Sequence, residues 1–209
     1  MNVRWLSSLV VLLFLAPFAL AGDAGSPEIS DTSGDASNPA LDVTSAWFAT
    51  TGANKVTLTI KLADLSTPYP ILNHNTESVR YYYQVDMMNS GGGASTFFCV
   101  IDFVDLSSNQ PVLNPAFAYN ADGRGIGTGC TVPHNTFQVN QYGVRATVDS
   151  KASTLVVELT GGYMPLTTGT TLSGVTIKTS AGSVSGVAPG ADSHGPTADL
   201  AGPGAYTVE

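Results

Sequence analysis

The chain has 209 residues, and its 16 acidic side chains outnumber its 8 lysines and arginines, which gives a formal net charge of −8 at pH 7. Such a chain is a poor candidate for a nucleic-acid-binding protein, because phosphate binding needs a concentrated basic surface. The chain is long enough for one domain with a sizeable core and too short for two domains of ordinary size.

Residues 1–21 have the features of a secretory signal peptide. Arg4 precedes an apolar run from Leu9 to Leu20, and the small residue Ala21 follows, as signal peptidase requires. The run is shorter than the roughly 20 apolar residues that a membrane span needs, and no second run of that length follows. We therefore expect a secreted or cell-surface protein without a membrane span after cleavage. An uncleaved anchor is the alternative.

Residues 22–39 form an acidic lead-in, with Gly and Pro, to the predicted β domain. Ca²⁺ takes about six to eight oxygen ligands, usually gathered by an irregular loop, and the lead-in supplies carboxylate and amide oxygens. Aspartates near the C-terminus would join them if the chain ends meet, as they often do in compact domains. The candidate calcium ligands are Asp31, Asp35, Asn38, Asp42, Asp192 and Asp199. Their spacing is not that of an EF-hand, and simple Asx-turns are the alternative interpretation.

Residues 40–182 show the alternation of apolar and polar residues that is typical of β-strands. In residues 56–62 Val, Leu, Ile and Leu alternate with Thr, Thr and Lys, which predicts a strand with one buried and one solvent-exposed face. Further strands are predicted at VRYYYQVDM, at TFFCVIDFV inside a sheet, at the hairpin of YGVRATVD with TLVVELT, and at TLSGVTIKTS with a bulge at Gly174. We predict an all-β fold, an antiparallel β-sandwich of jelly-roll or immunoglobulin-like type with about 7 to 10 strands.

The chain has 2 cysteines, Cys99 and Cys130, and two cysteines in an exported protein usually form a disulfide bond. The sequence GCTVPHN also places His134 close to Cys130, and with His74 upstream it resembles the copper loop of a cupredoxin. That loop has a methionine soon after the histidine, whereas the next methionine here is Met164. The disulfide is therefore our prediction, and a copper electron-transfer protein is the alternative.

The opening of the domain, DTSGDASNPALDVTSAWFATTGANKVTLTIKLADLS, joins an Asp-x-x-Gly-Asp element to a strand with Trp47 and then to a strongly alternating strand. It resembles the start of DOMON-like and family 9 carbohydrate-binding β-sandwich modules, and of the C-terminal module of glucodextranase-type enzymes. Residues 183–209, rich in Gly, Pro and Ala, are expected to pack on the domain or to leave it, and they are similar to the ends of such modules. The resemblance implies a non-catalytic accessory sandwich that binds sugar, haem or calcium.

A sugar-binding module needs exposed aromatic rings, because their faces stack on pyranose rings while polar neighbours bind the hydroxyl groups. Trp47 lies in an apolar strand and is expected in the core. The candidate platform residues are Tyr69, Tyr82, Tyr119 and Tyr163. The partner expected for such a surface is a polysaccharide or a cell-surface component.

Catalytic motifs do not support an enzyme. The G-x-S-x-G motif of serine hydrolases and the H-E-x-x-H motif of zinc peptidases are absent from the sequence. Asp102 and Asp105 would supply the two acids that a glycosidase needs, but acids near strand ends are common. We therefore predict a secreted, non-catalytic binding or accessory module with calcium as its expected cofactor. A purely structural cell-surface domain is a further alternative.

Overall fold

A computed structural model describes residues 22–65, 78–103, 129–131, 144–149, 151–184 and 196–209 of the chain. The strands within these residues are β1 (Ile29–Ser30), β2 (Val43–Gly52), β3 (Lys55–Leu62), β4 (Ser78–Asn89), β5 (Gly93–Phe103), β6 (Gly129–Thr131), β7 (Val144–Asp149), β8 (Thr154–Thr160), β9 (Thr171–Val184) and β10 (Thr197–Thr207). They form two antiparallel sheets, which confirms the predicted all-β sandwich.

The two sheets have five strands each and face one another. Sheet 1 has the order β1-β2-β3-β8-β7, and sheet 2 has the order β10-β9-β4-β5-β6. β10 contacts β1 and β2, and β6 contacts β7, so the sheets approach each other along both sides of the sandwich. We call the side where the outer strands β1 and β10 meet the β1/β10 seam.

Sheet 1 confirms the predicted alternation of β3. Its inward side chains are fully buried, and they are Val56, Leu58, Ile60 and Leu62. Hydrophobic burial of this kind is the main force that holds the two sheets together. β7 and β8 form the predicted hairpin, in which Asp149 pairs with Thr154 and the Asp149 carboxylate accepts a hydrogen bond from the Ala152 amide.

Sheet 2 is centred on β4, which pairs with β5 on one side and β9 on the other. β4 and β5 are joined by a tight turn in which Asn89 pairs with Gly93. Gly93 has a φ of 86°, a left-handed conformation that favours glycine. The buried Asn89 side chain holds the turn by accepting from the Gly91 amide and donating to the Pro165 carbonyl.

Both ends of the described part of the chain supply strands that the sequence did not predict. Residues 22–39 contain β1, which pairs with β2, and residues 183–209 contain β10, which pairs with β9. β10 is irregular, because its register with β9 shifts near Asp199 and again on either side of Gly204, next to Pro203. The expected bulge at Gly174 is confirmed by its φ of 58° and by the register shift between β4 and β9 there.

The core lies between the facing sides of the two sheets. Its largest fully buried side chains include Phe48 from β2, and Tyr83 and Phe97 from sheet 2. Trp47 was expected in the core, but it is only partly buried, because the inward position of β2 is taken by its neighbour Phe48. The alternation of a strand therefore decides which of two adjacent aromatic rings is buried.

Candidate functional site

The site begins with the loop of residues 31–42, which runs from the end of β1 to the start of β2. Side chains from the inner face of sheet 2 hold this loop through hydrogen bonds from Asn38 Nδ2 to Tyr81 Oη (2.8 Å), from Tyr83 Oη to the Ala40 carbonyl (2.7 Å) and from Thr179 Oγ1 to the Leu41 carbonyl (2.6 Å). Burial raises the pKa of Tyr83 well above its ordinary value, so this hydroxyl stays a donor. The loop is thus fixed against the opposite sheet.

Three aspartates meet at this loop. Asp31, Asp35 and Asp199 each offer one carboxylate oxygen, and these oxygens all lie within 4.8 Å of one another. Asp31 follows β1 directly, Asp35 lies in the loop, and Asp199 belongs to β10 near the other end of the chain. We call these residues the acidic cluster. The expectation that early and late aspartates meet is realised in this group.

Asp199 is the buried member of the acidic cluster, with 7% of its surface exposed. Its Oδ2 accepts from the Val43 amide (2.7 Å) and its Oδ1 accepts from the Leu200 amide (2.6 Å). Burial raises the pKa of Asp199 above its usual range, the negative charges of Asp35 and Asp31 raise it further, and the two amide hydrogen bonds oppose this rise. The carboxylate is therefore held in position at an electrostatic cost that a bound cation would offset.

Two carboxylate oxygens near this loop are buried and have no hydrogen-bond partner among the described residues. One is Asp31 Oδ2, whose companion Oδ1 accepts from the Thr32 amide (2.8 Å). The other is Asp42 Oδ1. Asp42 is 1% exposed, and its Oδ2 accepts from the Gly34 amide (2.6 Å), which holds the carboxylate against the turn next to Asp35. Unpaired buried oxygens of this kind are costly, and they fit a site that receives a cation.

The structure describes five of the six predicted calcium ligands and gives them different roles. Asp31, Asp35 and Asp199 form the acidic cluster, and Asp42 lies beside it without belonging to the mutually close group. The Asn38 amide instead serves the loop, because its Oδ1 accepts from the Ala40 amide (2.9 Å) while its Nδ2 donates to Tyr81. Asp192 lies outside the described residues.

Two of the four predicted platform tyrosines, Tyr82 and Tyr163, lie among the residues that the structure describes. Tyr82 is only 4% exposed. Tyr163 is half-buried, its hydroxyl donates to the Thr96 carbonyl (2.7 Å), and its ring meets Phe97 edge to face at 6.0 Å. Burial raises the pKa of Tyr163 to about 12. Tyr69 and Tyr119 lie outside the described residues.

The two cysteines occupy directly opposed positions in neighbouring strands. Cys99 of β5 pairs with Cys130 of β6. Residues opposed in this way have Cα atoms about 4.5 to 5.5 Å apart, which lies within the range that a disulfide bond requires. The disulfide stays a prediction that this pairing favours. The histidines of the copper alternative, His74 and His134, lie outside the described residues.

A polar group on the outer face of sheet 2 was not anticipated from the sequence. The Asp86 carboxylate of β4 accepts hydrogen bonds from Gln84, from Thr96 of β5 (2.7 Å) and from Lys178 of β9 (2.8 Å). Burial alone would raise the pKa of Asp86, but these hydrogen bonds and the Lys178 charge outweigh it and lower the pKa. Because its partners come from three strands, only knowledge of strand pairing would have revealed it. The group is internally satisfied, which is typical of a structural role.

None of the described residues forms a helix long and apolar enough to cross a membrane. Comparisons of this chain with protein-family models, with curated proteins and with solved structures found no match.

Proposed function

We propose that the chain is an exported, non-catalytic β-sandwich module that binds Ca²⁺ at the acidic cluster. The observation that carries the proposal is the meeting of Asp31, Asp35 and Asp199, with carboxylate oxygens within 4.8 Å of one another. Like charges at such distances repel strongly when they are partly removed from water. A divalent cation would turn this repulsion into attraction for all three groups.

The chemistry of the available ligands favours Ca²⁺ over other metals. The cluster offers only oxygen atoms, which suit hard cations, whereas copper and zinc prefer imidazole and thiolate ligands. Mg²⁺ demands a near-ideal octahedron, while Ca²⁺ accepts the varied positions of an irregular loop such as residues 31–42. Asp31 Oδ2 is buried and has no hydrogen-bond partner among the described residues, so it is available as a ligand.

The role proposed for the ion is structural. Its ligands come from the N-terminal lead-in and from β10, so a bound ion would hold both ends of the described chain on the sandwich. Extracellular calcium modules commonly bind with dissociation constants of about 10⁻⁴ to 10⁻³ M. A ligand present at about a hundred times its dissociation constant stabilises the folded state by about 2.7 kcal/mol.

Isothermal titration of the purified protein with Ca²⁺ tests the proposal. The informative variant is Asp35→Asn, because Asp35 is exposed and asparagine keeps its shape while removing the charge. Asp149→Asn is the matched control, since Asp149 lies on β7 at the far edge of sheet 1. We expect Asp35→Asn to weaken binding by about tenfold or more, equivalent to 1.4 kcal/mol, and the control to bind as the wild type does. Absence of binding, or equal affinities for all three proteins, would refute the proposal.

We infer that the module also binds a polysaccharide, one of the ligand classes that its resemblance to family 9 carbohydrate-binding modules implies. The sandwich and the sequence from Asp31 to Ser66 support this extension. Retention on a panel of insoluble polysaccharides tests it, with Tyr69→Ala and Tyr119→Ala as variants. Tyr163 is not chosen, because its hydroxyl donates a hydrogen bond to the Thr96 carbonyl within the domain. Loss of retention in a variant that still melts as the wild type does would support sugar binding. No retention of the wild type would favour a structural cell-surface domain.

A further inference from the structure

The acidic cluster lies on the β1/β10 seam. β1 is the outer strand of sheet 1, and β10 is the outer strand of sheet 2. Asp31 follows β1 directly, and Asp199 lies near the start of β10. Since the oxygens of these two residues lie within 4.8 Å of each other, the cluster spans the gap between the two sheets.

The second half of β10 is held at the seam by contacts that need no cation. Gly204 packs so closely on β1 that a Cβ atom there would lie 2.5 Å from Ile29 Cγ1. Farther along, the Tyr206 ring stacks on Phe48 of β2 with centroids 5.3 Å apart, and its hydroxyl lies 2.7 Å from Thr50 Oγ1. These neutral contacts are independent of the charge at the acidic cluster.

The first half of β10 depends on a different kind of contact. Its Asp199 carboxylate accepts a hydrogen bond from the Val43 amide of sheet 1 and faces the negative charges of Asp31 and Asp35. Ala201, at the end of this half, is buried in the core. The register with β9 also shifts on both sides of the stretch from Asp199 to Ala201. Within this stretch the pairing with β9 is continuous, and shifts also flank Gly204 in the second half, so the two halves of β10 differ in their contacts with sheet 1 and not in their support from β9.

We propose that a divalent cation bound at the acidic cluster latches the first half of β10 onto sheet 1, so that the occupancy of the site controls the opening of this strand half. The inference rests on the proposed function, because it needs Ca²⁺ to bind there. Removal of the ion leaves the mutual repulsion of Asp31, Asp35 and Asp199 and loosens residues 197–201. The half that contains Gly204 and Tyr206 stays in place.

Hydrogen exchange measured by mass spectrometry on the purified protein, with Ca²⁺ or with a calcium chelator, tests the latch. Peptides that cover residues 197–201 and residues 204–209 report the two halves of β10 separately. With Ca²⁺ at about ten times its dissociation constant, binding lowers the opening equilibrium by about tenfold. We therefore expect exchange in residues 197–201 to slow by about tenfold, and exchange in residues 204–209 to change much less.

The variants used for calorimetry distinguish the latch from binding itself. At the same Ca²⁺ concentration, Asp35→Asn is expected to reduce the response of residues 197–201 from about tenfold to about twofold or less, and Asp149→Asn to preserve it. If calorimetry shows binding but the two halves of β10 respond equally or not at all, the latch is wrong and the binding site stands. If calorimetry shows no binding, the latch and the proposed function both fail.

Discussion

The backbone amide of Val43 donates a hydrogen bond of 2.7 Å to the carboxylate of Asp199, 156 positions later in the sequence. It joins the first residue of β2 to the start of β10 and closes one end of the β1/β10 seam. Both groups are buried. Loss of the acceptor would therefore leave the Val43 amide without a partner inside the protein.

Asp199→Ala is expected to lower the free energy of unfolding by about 1 to 3 kcal/mol in the presence of a chelator, the usual cost of an unsatisfied buried donor. Asp199→Asn keeps an oxygen for the Val43 amide, loses the acceptor of the Leu200 amide and removes a charge that burial and Asp35 disfavour, so we expect a smaller loss than with alanine. Urea denaturation with and without Ca²⁺ measures both effects, and neither variant should gain stability from Ca²⁺. Equal stability of the alanine and asparagine variants would contradict this role of the hydrogen bond.

Gly204→Ala is expected to destabilise the protein by about 1 to 3 kcal/mol, the typical cost of forcing an extra group into a packed interior. The added Cβ atom would lie 2.5 Å from Ile29 Cγ1 and 3.0 Å from the Glu28 carbonyl, and a backbone atom cannot easily yield. Gly52→Ala is the control, because its Cβ atom would come no closer than 3.8 Å to Lys55. Thermal unfolding of both variants decides the point. A Gly204→Ala protein as stable as the control would show that the seam is loosely packed.

A disulfide between Cys99 and Cys130 would close a loop of about 30 residues, for which chain entropy predicts a stabilisation of about 3 to 4 kcal/mol. When the protein is unfolded without reductant, its cysteines should resist alkylation, and after reduction both cysteines should be alkylated. Intact-protein mass spectrometry measures the number of alkyl groups added. Reductant should lower the urea midpoint of the wild type and leave a Cys99→Ser, Cys130→Ser double variant unaffected. Alkylation of both thiols without reductant would exclude the bond.

The Asp86 group predicts a loss of stability in acid. The pKa of Asp86 is lowered in the folded protein, so its stabilising effect is complete above the unfolded pKa and disappears as the pH falls through the folded pKa. The unfolded value is near 3.8, which places the loss below about pH 4. We expect the difference in unfolding free energy between the wild type and Asp86→Asn to shrink over this range. A difference that does not change with pH would show that the Asp86 charge is not stabilising.

The strands of the sandwich interior were predictable because burial on one face forces a two-residue period. β3 shows this period over its whole length, and β7 and β8 were recognisable as a hairpin because their turn is short. The partner of β3 was not predictable, since Leu58 pairs with Val157 almost a hundred positions away. Alternation identifies a strand and its inward face, but it carries no information about distant neighbours.

The terminal strands and the division of roles among the acidic residues were the harder parts. β1 has 2 residues, too few to show a period, and β10 is interrupted by Gly and Pro residues that normally indicate loops. All three residues of the acidic cluster were among the candidate ligands, because aspartates are usual ligands of calcium. The sequence could not show that Asn38 serves the backbone of its own loop, because an amide suits both roles.

Pro203 has a consequence for how two molecules of this protein behave when they meet. β10 is an 11-residue outer strand, and outer strands of that length are sites where a second chain adds on and starts aggregation. Proline has no amide hydrogen to donate, and the shifts in pairing beside it bend the strand away from a flat template. The same irregularity that makes β10 hard to recognise therefore discourages uncontrolled self-association at this edge.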